Sequence, residues 1–166
     1  VMTLRAEGIE ALAVHPLLGA VASGGVLTGY TTEHLQLMMD LGMVPVLHGD
    51  VVMDTSKGAC IVSGDQLIRV LAQQLRMNRI GLATDVPGLL DAGGSVVREL
   101  RRKTAHTIRI GGSGHVDVTG GMQGKISELL CLADNGIGSE IFHISRLREF
   151  LNGTDHGGTW IMPEGR

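Results

Sequence analysis

A chain of 166 residues can bury one sizeable core and is marginal for two. Its 43% hydrophobic and 19% charged residues describe a folded globular chain rather than a disordered one. A net charge of −3 without a dense Lys/Arg run, together with only 2% aromatic residues, argues against a nucleic-acid surface as the main function: both the basic footprint and the stacking platforms are missing.

In chain order, the apolar pattern predicts a strand over residues 9–14 and a glycine-containing loop or turn over 23–28. A helix follows over 32–41, with Leu35, Met38 and Met39 on one face and Gly42 at its C-terminal end. Residues 44–47 read as a short buried strand that runs into the turn His48-Gly49-Asp50, and 51–53 with 59–62 read as a hairpin. Ser63 and Gln66 fit the S-x-x-Q capping box, so a helix should start near Asp65 and present Leu67, Ile68, Leu71, Ala72 and Leu75 on one side. Residues 80–84 predict the next buried strand, followed by the turn 85–88 and two short strands around Ala92-Gly93-Gly94. A helix beyond Gly120-Gly121 carries Ile126, Leu129, Leu130 and Ala133 at helical spacing and stops at Gly136. A strand over 140–144, a helix over 146–151 and a strand over 159–162 complete the chain. Strands alternating with helices predict an α/β fold with helices on both faces of the sheet, and in such folds ligands gather at the carboxyl ends of the strands.

No apolar run approaches the length of a membrane span, and the first residues lack a signal-peptide layout. Cys60 and Cys131 stand apart from any C-x-x-C or His/Cys spacing, so they read as buried thiols in a reducing compartment, and the expectation is a cytoplasmic protein.

Four loops carry unusual chemistry: His48-Gly49-Asp50, Ser63-Gly64-Asp65, Thr84-Asp85 with its turn, and Thr119-Gly120-Gly121 leading into a helix. The segment Asp117-Val118-Thr119-Gly120-Gly121-Met122-Gln123-Gly124-Lys125 is a Gly-Gly helix entry followed by a lysine. A helix N-terminus offers free N–H groups and the positive end of a dipole, which suits phosphate. Taken alone, a plain turn with a solvated Lys125 is the better account. The Walker A pattern fails because Ile126 follows Lys125 and Thr119 occupies the first glycine position; the dinucleotide fingerprint fails after Gly112-Ser113-Gly114. Ser63-Gly64-Asp65 opens a helix, where Asp65 is favourable for stability by itself. His48-Gly49-Asp50 ends a strand, and His48 reads on its own as a hydrogen-bonded structural histidine. The remaining histidines show no metal-ligand spacing.

With those loops in order the chain resembles the amino acid kinase superfamily, and within it the archaeal-type isopentenyl phosphate kinases. The match is carried by VPVLHGDVVMD (44–54), IVSGDQLI (61–68), ATDVPGLL (83–90), DVTGGMQGKI (117–126) and GTWI (158–161), and is thin over 95–116. The resemblance implies an αβα sandwich with a mainly parallel central sheet and ATP- and Mg²⁺-dependent phosphorylation of isopentenyl phosphate to isopentenyl diphosphate. It places Gly64 against the substrate phosphate, with Ser63, His48 and Gly49 on the same side. It gives Asp65 the task of organising catalytic lysines, and Lys125 a catalytic and ATP-binding role. Asp85, Thr119, Gly120 and Gly121 fall on the nucleotide side, and Leu90 stands where the family usually has an aromatic near the base. Sister kinases acting on fosfomycin-type or acyl acceptors, and a non-catalytic nucleotide-binding module, are the competing readings.

Two departures matter. Pro87 stands where many members read T-D-V-D-G, which removes a charge and a donor beside the nucleotide. The family's first strand with its G-G-S loop, and the Gly-rich loop ending in the phosphate-gripping histidine, are not among the residues from Val1 onward. The expectation is therefore a partial domain, with about residues 1–50 the remainder of the substrate lobe and about 51–166 the nucleotide-binding lobe. It would need a missing N-terminal segment for efficient transfer, and a homodimer is what the resemblance implies for assembly.

Overall fold

The computed structural model describes residues 1–105 and 121–164, and the chain divides into two units, Val1–Arg76 and Met77–Arg166.

In the first unit, helix α1 (Met2–Ala6) leads into β1 (Ala11–Ala13). After a single 3-10 turn at Pro16–Leu18 come β2 (Ala20–Ser23), β3 (Val26–Tyr30), α2 (Glu33–Asp40) and β4 (Val44–Val46). The hairpin of β5 (Asp50–Asp54) and β6 (Gly58–Val62) then feeds α3 (Gly64–Gln74). β1 and β4 pair in parallel, and a second sheet has the order β3-β2-β5-β6. Alternation turns Ala20, Ala22, Val52 and Val62 inward, and a register shift in the β2–β3 pairing lets Leu27 and Tyr30, three residues apart, both face in; Leu35 of α2 and Leu67 and Val70 of α3 close over them as one core.

The loop or turn expected over 23–28 is the turn of a tight hairpin. Ser23 pairs with Val26, so only Gly24 and Gly25 lie in the turn, at φ +65° and +91°. Two successive positive φ values are what a two-residue turn matching the strand twist demands, and glycine alone adopts them without strain. The buried Asp54 fixes this turn: its carboxylate accepts the N–H groups of Gly24 (3.1 Å) and Gly25 (2.6 Å), and also those of Ser56 (2.8 Å) and Lys57 (2.9 Å) across the β5–β6 turn.

The second unit contains β7 (Gly81–Thr84), β8 (Glu99–Leu100), α4 (Arg102–Ala105), α5 (Gly121–Asp134), β9 (Ser139–His143), α6 (Leu147–Asn152) and β10 (Thr159–Ile161). Its sheet has the order β7-β9-β10-β8, parallel except for β9 with β10. β9 is central and buried over its first four residues, which explains its lack of alternation. α5 packs on β9 and β10 and buries Ile126, Leu129, Leu130, Leu132 and Ala133. It stops where expected, with Gly136 at φ +80°.

Among the described residues, parallel strand pairs outnumber antiparallel ones, and the α/β class holds. No described helix is long and apolar enough to cross a membrane. Cys60 and Cys131 are free thiols as expected, but half-buried rather than buried.

Candidate functional site

The Ser63-Gly64-Asp65 loop joins β6 to α3. Ser63 is extended (φ −79°, ψ 159°) and its Oγ accepts the Gln66 N–H at 3.2 Å, half of the capping box expected from the sequence. The reciprocal half is absent: the Gln66 side chain instead accepts the Leu27 N–H at 2.8 Å and ties α3 to β3. Gly64 is the first helical residue, so helix geometry leaves its N–H outside the intrahelical ladder. It is exposed, and a Cβ built on it would meet nothing within 4 Å. The loop therefore presents backbone donors and a dipole end to open space, with the half-buried Asp65 one residue further on.

His48-Gly49-Asp50 lies directly against this loop. A Cβ at Gly49 would come within 3.0 Å of the Val62 carbonyl oxygen, 3.5 Å of the Gly64 nitrogen and 3.6 Å of the Ser63 Cα. Gly49 is thus required for close backbone approach between the two loops. The His48 Nδ1 lies 2.8 Å from the Gly49 carbonyl oxygen, which can only accept, so that nitrogen carries the proton. Its Nε2 then faces His15 Nδ1 at 3.3 Å, with the rings edge to face. His48 is hydrogen-bonded, as its residue type suggested, but it is exposed, and its partners are the neighbouring Gly49 carbonyl and His15, which follows β1.

In the second unit, Thr84 Oγ1 donates to the Val86 carbonyl at 2.8 Å and turns the chain after β7. Asp85 and Pro87 are exposed at this turn, while Gly88 and Leu89 are buried. The Leu89 N–H donates to Thr159 Oγ1 at 2.8 Å, and the Leu89 carbonyl accepts the Val97 N–H at 2.8 Å. Leu90 is half-buried and bridges antiparallel to Val96. Gly121 begins α5, and Lys125 is its fifth residue, at the start of the second turn rather than within the first, and half-buried. Asp117, Thr119 and Gly120 lie outside the described residues.

The structure thus brings His48, Gly49, Ser63, Gly64 and Asp65 into one neighbourhood in the first unit, and sets Asp85 and Leu90 on one braced loop in the second. Sequence reasoning missed the supports. Asp54 was legible, because an aspartate two residues before Ser56 in a hairpin turn is a turn-capping pattern. Burial raises its carboxyl, but the hydrogen bonds from the Ser56, Gly25 and Lys57 N–H groups and the Ser56 hydroxyl outweigh that and hold it well below the usual carboxylate range. Thr159, fully buried, and the buried pair His156 Nε2 to Glu140 Oε2 (2.6 Å) gave no local signal.

A model described as the amino acid kinase family matches residues 1–143. The chain belongs to the amino acid kinase family. Within that family it is 43% identical over 155 residues to an isopentenyl phosphate kinase of Haloferax volcanii, covering 93% of this chain and 61% of that protein. It is 35% identical over 176 residues to one of Methanothermobacter thermautotrophicus, covering 95% and 63%. A solved structure of isopentenyl phosphate kinase superposes with a TM-score of 0.81 at 30% identity, covering 96% of this chain and 62% of that one. The chain therefore spans rather less than two thirds of the length of these relatives. The amino acid kinase fold expected from the motifs is the fold observed.

Proposed function

We propose that the protein to which this chain belongs transfers the γ-phosphoryl group of ATP to isopentenyl phosphate, giving isopentenyl diphosphate and ADP. The observation that carries this reading is the similarity, across nearly the whole chain, to proteins named for that activity.

A terminal phosphate oxygen of the acceptor forms the new P–O bond as the bond from the γ-phosphorus to the β–γ bridging oxygen breaks. Such transfer needs positioning and charge cancellation more than covalent help. In this reading the Gly64 N–H and the N-terminus of α3 hold the acceptor phosphate, with Ser63, His48 and Gly49 shaping that side, while Asp65 orients the lysines around the reacting group. Asp85, Leu90, Thr119, Gly120, Gly121 and Lys125 serve the nucleotide. About residues 1–50 belong to the acceptor side and about 51–166 to the nucleotide side, a functional division that differs from the division into compact units. Mg²⁺ bound with ATP would supply further charge cancellation. Among the described residues the one grouping of three close metal ligands contains two imidazoles, which do not suit a hard cation, so the donor set fits an ion carried mainly by the phosphates.

The test is a coupled ADP-release assay on the full-length protein with isopentenyl phosphate, N-acetylglutamate and fosfomycin as acceptors. Preference for isopentenyl phosphate is expected, and preference for either other acceptor overturns the reading. Gly64→Ala sharpens it. The added methyl enters open space, so the melting temperature should hold, while the KM for isopentenyl phosphate should rise at least about tenfold as the methyl blocks a phosphate held close to the backbone. An unchanged KM would remove Gly64 from the acceptor site.

A further inference from the structure

The parallel register of β1 and β4 pairs Ala11 with Val44, Leu12 with Pro45 and Ala13 with Val46. The Val14 N–H continues it by donating to the Val46 carbonyl at 2.9 Å. Two residues beyond the last paired positions, on the same side of both strands, stand His15 and His48. The register therefore delivers two imidazoles side by side at the carboxyl ends of adjacent parallel strands, where open α/β sheets receive ligands. Asp50, at the start of β5, closes the group: one ligating atom from each of the three residues lies within 4.8 Å of the others. Both histidines are exposed and Asp50 is half-buried.

We infer that His15 Nδ1, His48 Nε2 and the Asp50 carboxylate form a binding site for a first-row transition-metal ion of the Zn²⁺ type. Three observations lead there. The first is the spacing. Two nitrogens bound at about 2.0–2.1 Å to one tetrahedral ion lie roughly 3.3 Å apart, and the two imidazole nitrogens are 3.3 Å apart. The second is the outer support. Metal-bound histidines almost always give their other ring N–H to a carbonyl or carboxylate, which fixes the lone pair on the ligating nitrogen. The 2.8 Å contact of His48 Nδ1 with the Gly49 carbonyl does this and leaves Nε2 directed at His15. The third is the chemistry of the set: two imidazoles and one carboxylate match a borderline ion, and oxygen-seeking Mg²⁺ or Ca²⁺ is disfavoured. Asp50 is held from both sides, its Oδ1 accepting the Val51 N–H at 2.9 Å and its Oδ2 the Leu17 N–H at 3.3 Å, and either oxygen retains a lone pair for a metal.

Three protein ligands leave at least one coordination position open. Because Gly49, between two of the ligands, packs against Ser63 and Gly64, the ion would sit on the loop that adjoins the proposed phosphate loop. The ion would also pin the end of β1 to the turn between β4 and β5, a link across the 33 residues between His15 and His48. The site rests on the geometry of the three side chains and holds whether or not the protein is an isopentenyl phosphate kinase.

The full chain, stripped with chelator and desalted, is titrated with ZnCl₂ and separately with CoCl₂, by calorimetry and by the visible absorption of Co²⁺, without nucleotide or acceptor. One equivalent should bind, with the visible bands of a low-coordinate Co²⁺ site, and a large excess of MgCl₂ should not displace it. His15→Ala and His48→Ala should each weaken binding at least about tenfold, since loss of an outer-shell partner alone commonly costs 10–100-fold. His34→Ala, an exposed histidine outside the cluster, should leave binding unchanged. Melting without metal checks that the variants fold, and a Zn²⁺-induced rise in melting temperature that vanishes in His15→Ala gives an independent readout. Absence of saturable binding to the parent chain, or binding that survives both histidine substitutions, overturns the proposal.

Discussion

Thr159→Val tests the claim that the loop after β7 is braced from β10. Thr159 is 0% exposed, and its Oγ1 is the acceptor for the buried Leu89 N–H at 2.8 Å. Valine has nearly the same shape and keeps the strand propensity of the first residue of β10, so the substitution removes the acceptor with little change in packing. It leaves an N–H with no partner and no water, which costs about 1–3 kcal/mol. For a chain of this size each kcal/mol moves the midpoint by roughly 2–4 °C, so a fall of about 2–12 °C is expected. Thr159→Ser is the control. It keeps the hydroxyl and loses one methyl, for about 1 kcal/mol. Because these ranges overlap, amide hydrogen exchange decides between the effects: exchange at Leu89 should accelerate in the valine variant and stay slow in the serine variant. A valine variant that melts within about 1 °C of the parent, with Leu89 exchange unchanged, would refute the brace.

Two further predictions follow from the sites. Lys125→Ala should weaken ATP binding in the full-length protein by about 1.5–3 kcal/mol, roughly 10- to 150-fold in Kd, if its ammonium meets the phosphates; an unchanged titration curve would remove Lys125 from the nucleotide site. Asp54 should make the first unit acid-sensitive. Its carboxyl lies well below the ordinary value when folded, so the stabilisation is complete above the unfolded carboxylate pKa of about 4 and is lost as the pH falls from there through the folded value. Asp54→Asn should lower the urea midpoint at neutral pH and flatten its decline in acid. A variant with the same acid slope as the parent would mean that other carboxylates govern it.

Much of this architecture was legible in the sequence, and the failures share a cause. The helix over Glu33–Asp40 and the strand at Val44–Val46 were visible because their signals are local: a 3.6-residue period, a terminal glycine, a short apolar run; the strand forms, but with Val44 exposed and Pro45 and Val46 half-buried rather than buried as expected. β2 and β3 were not. Ala20–Ser23 and Val26–Tyr30 are short, and two successive glycines between them read equally well as a loop, so the hairpin depends on the carboxylate of Asp54 some 30 residues away. Gln66 shows the same limit in reverse. Its spacing from Ser63 suggested a reciprocal cap, but the Leu27 N–H of another strand was the partner it found. His15 was passed over because metal-ligand spacing is sought along the chain, whereas here the pairing with His48 is set by strand register.

Gly49 shows what a motif means once its surroundings are known. The resemblance places it on the substrate side, and a glycine between a histidine and an aspartate invites the inference that the ligand itself requires it. The structure supplies a nearer requirement: a Cβ at this position would press on the Val62 carbonyl and lie against Ser63 and Gly64. The two loops are therefore one unit of packing, and a side chain at Gly49 would push on the Val62 carbonyl at the end of β6 before it touched any acceptor. Gly64 is the opposite case, since its missing side chain leaves space that nothing in the first unit fills. Two glycines fifteen residues apart in similar motifs are thus separable by experiment. Alanine at 49 should lower stability and carry function down with it, whereas alanine at 64 should leave stability intact and alter only what the open helix terminus can hold.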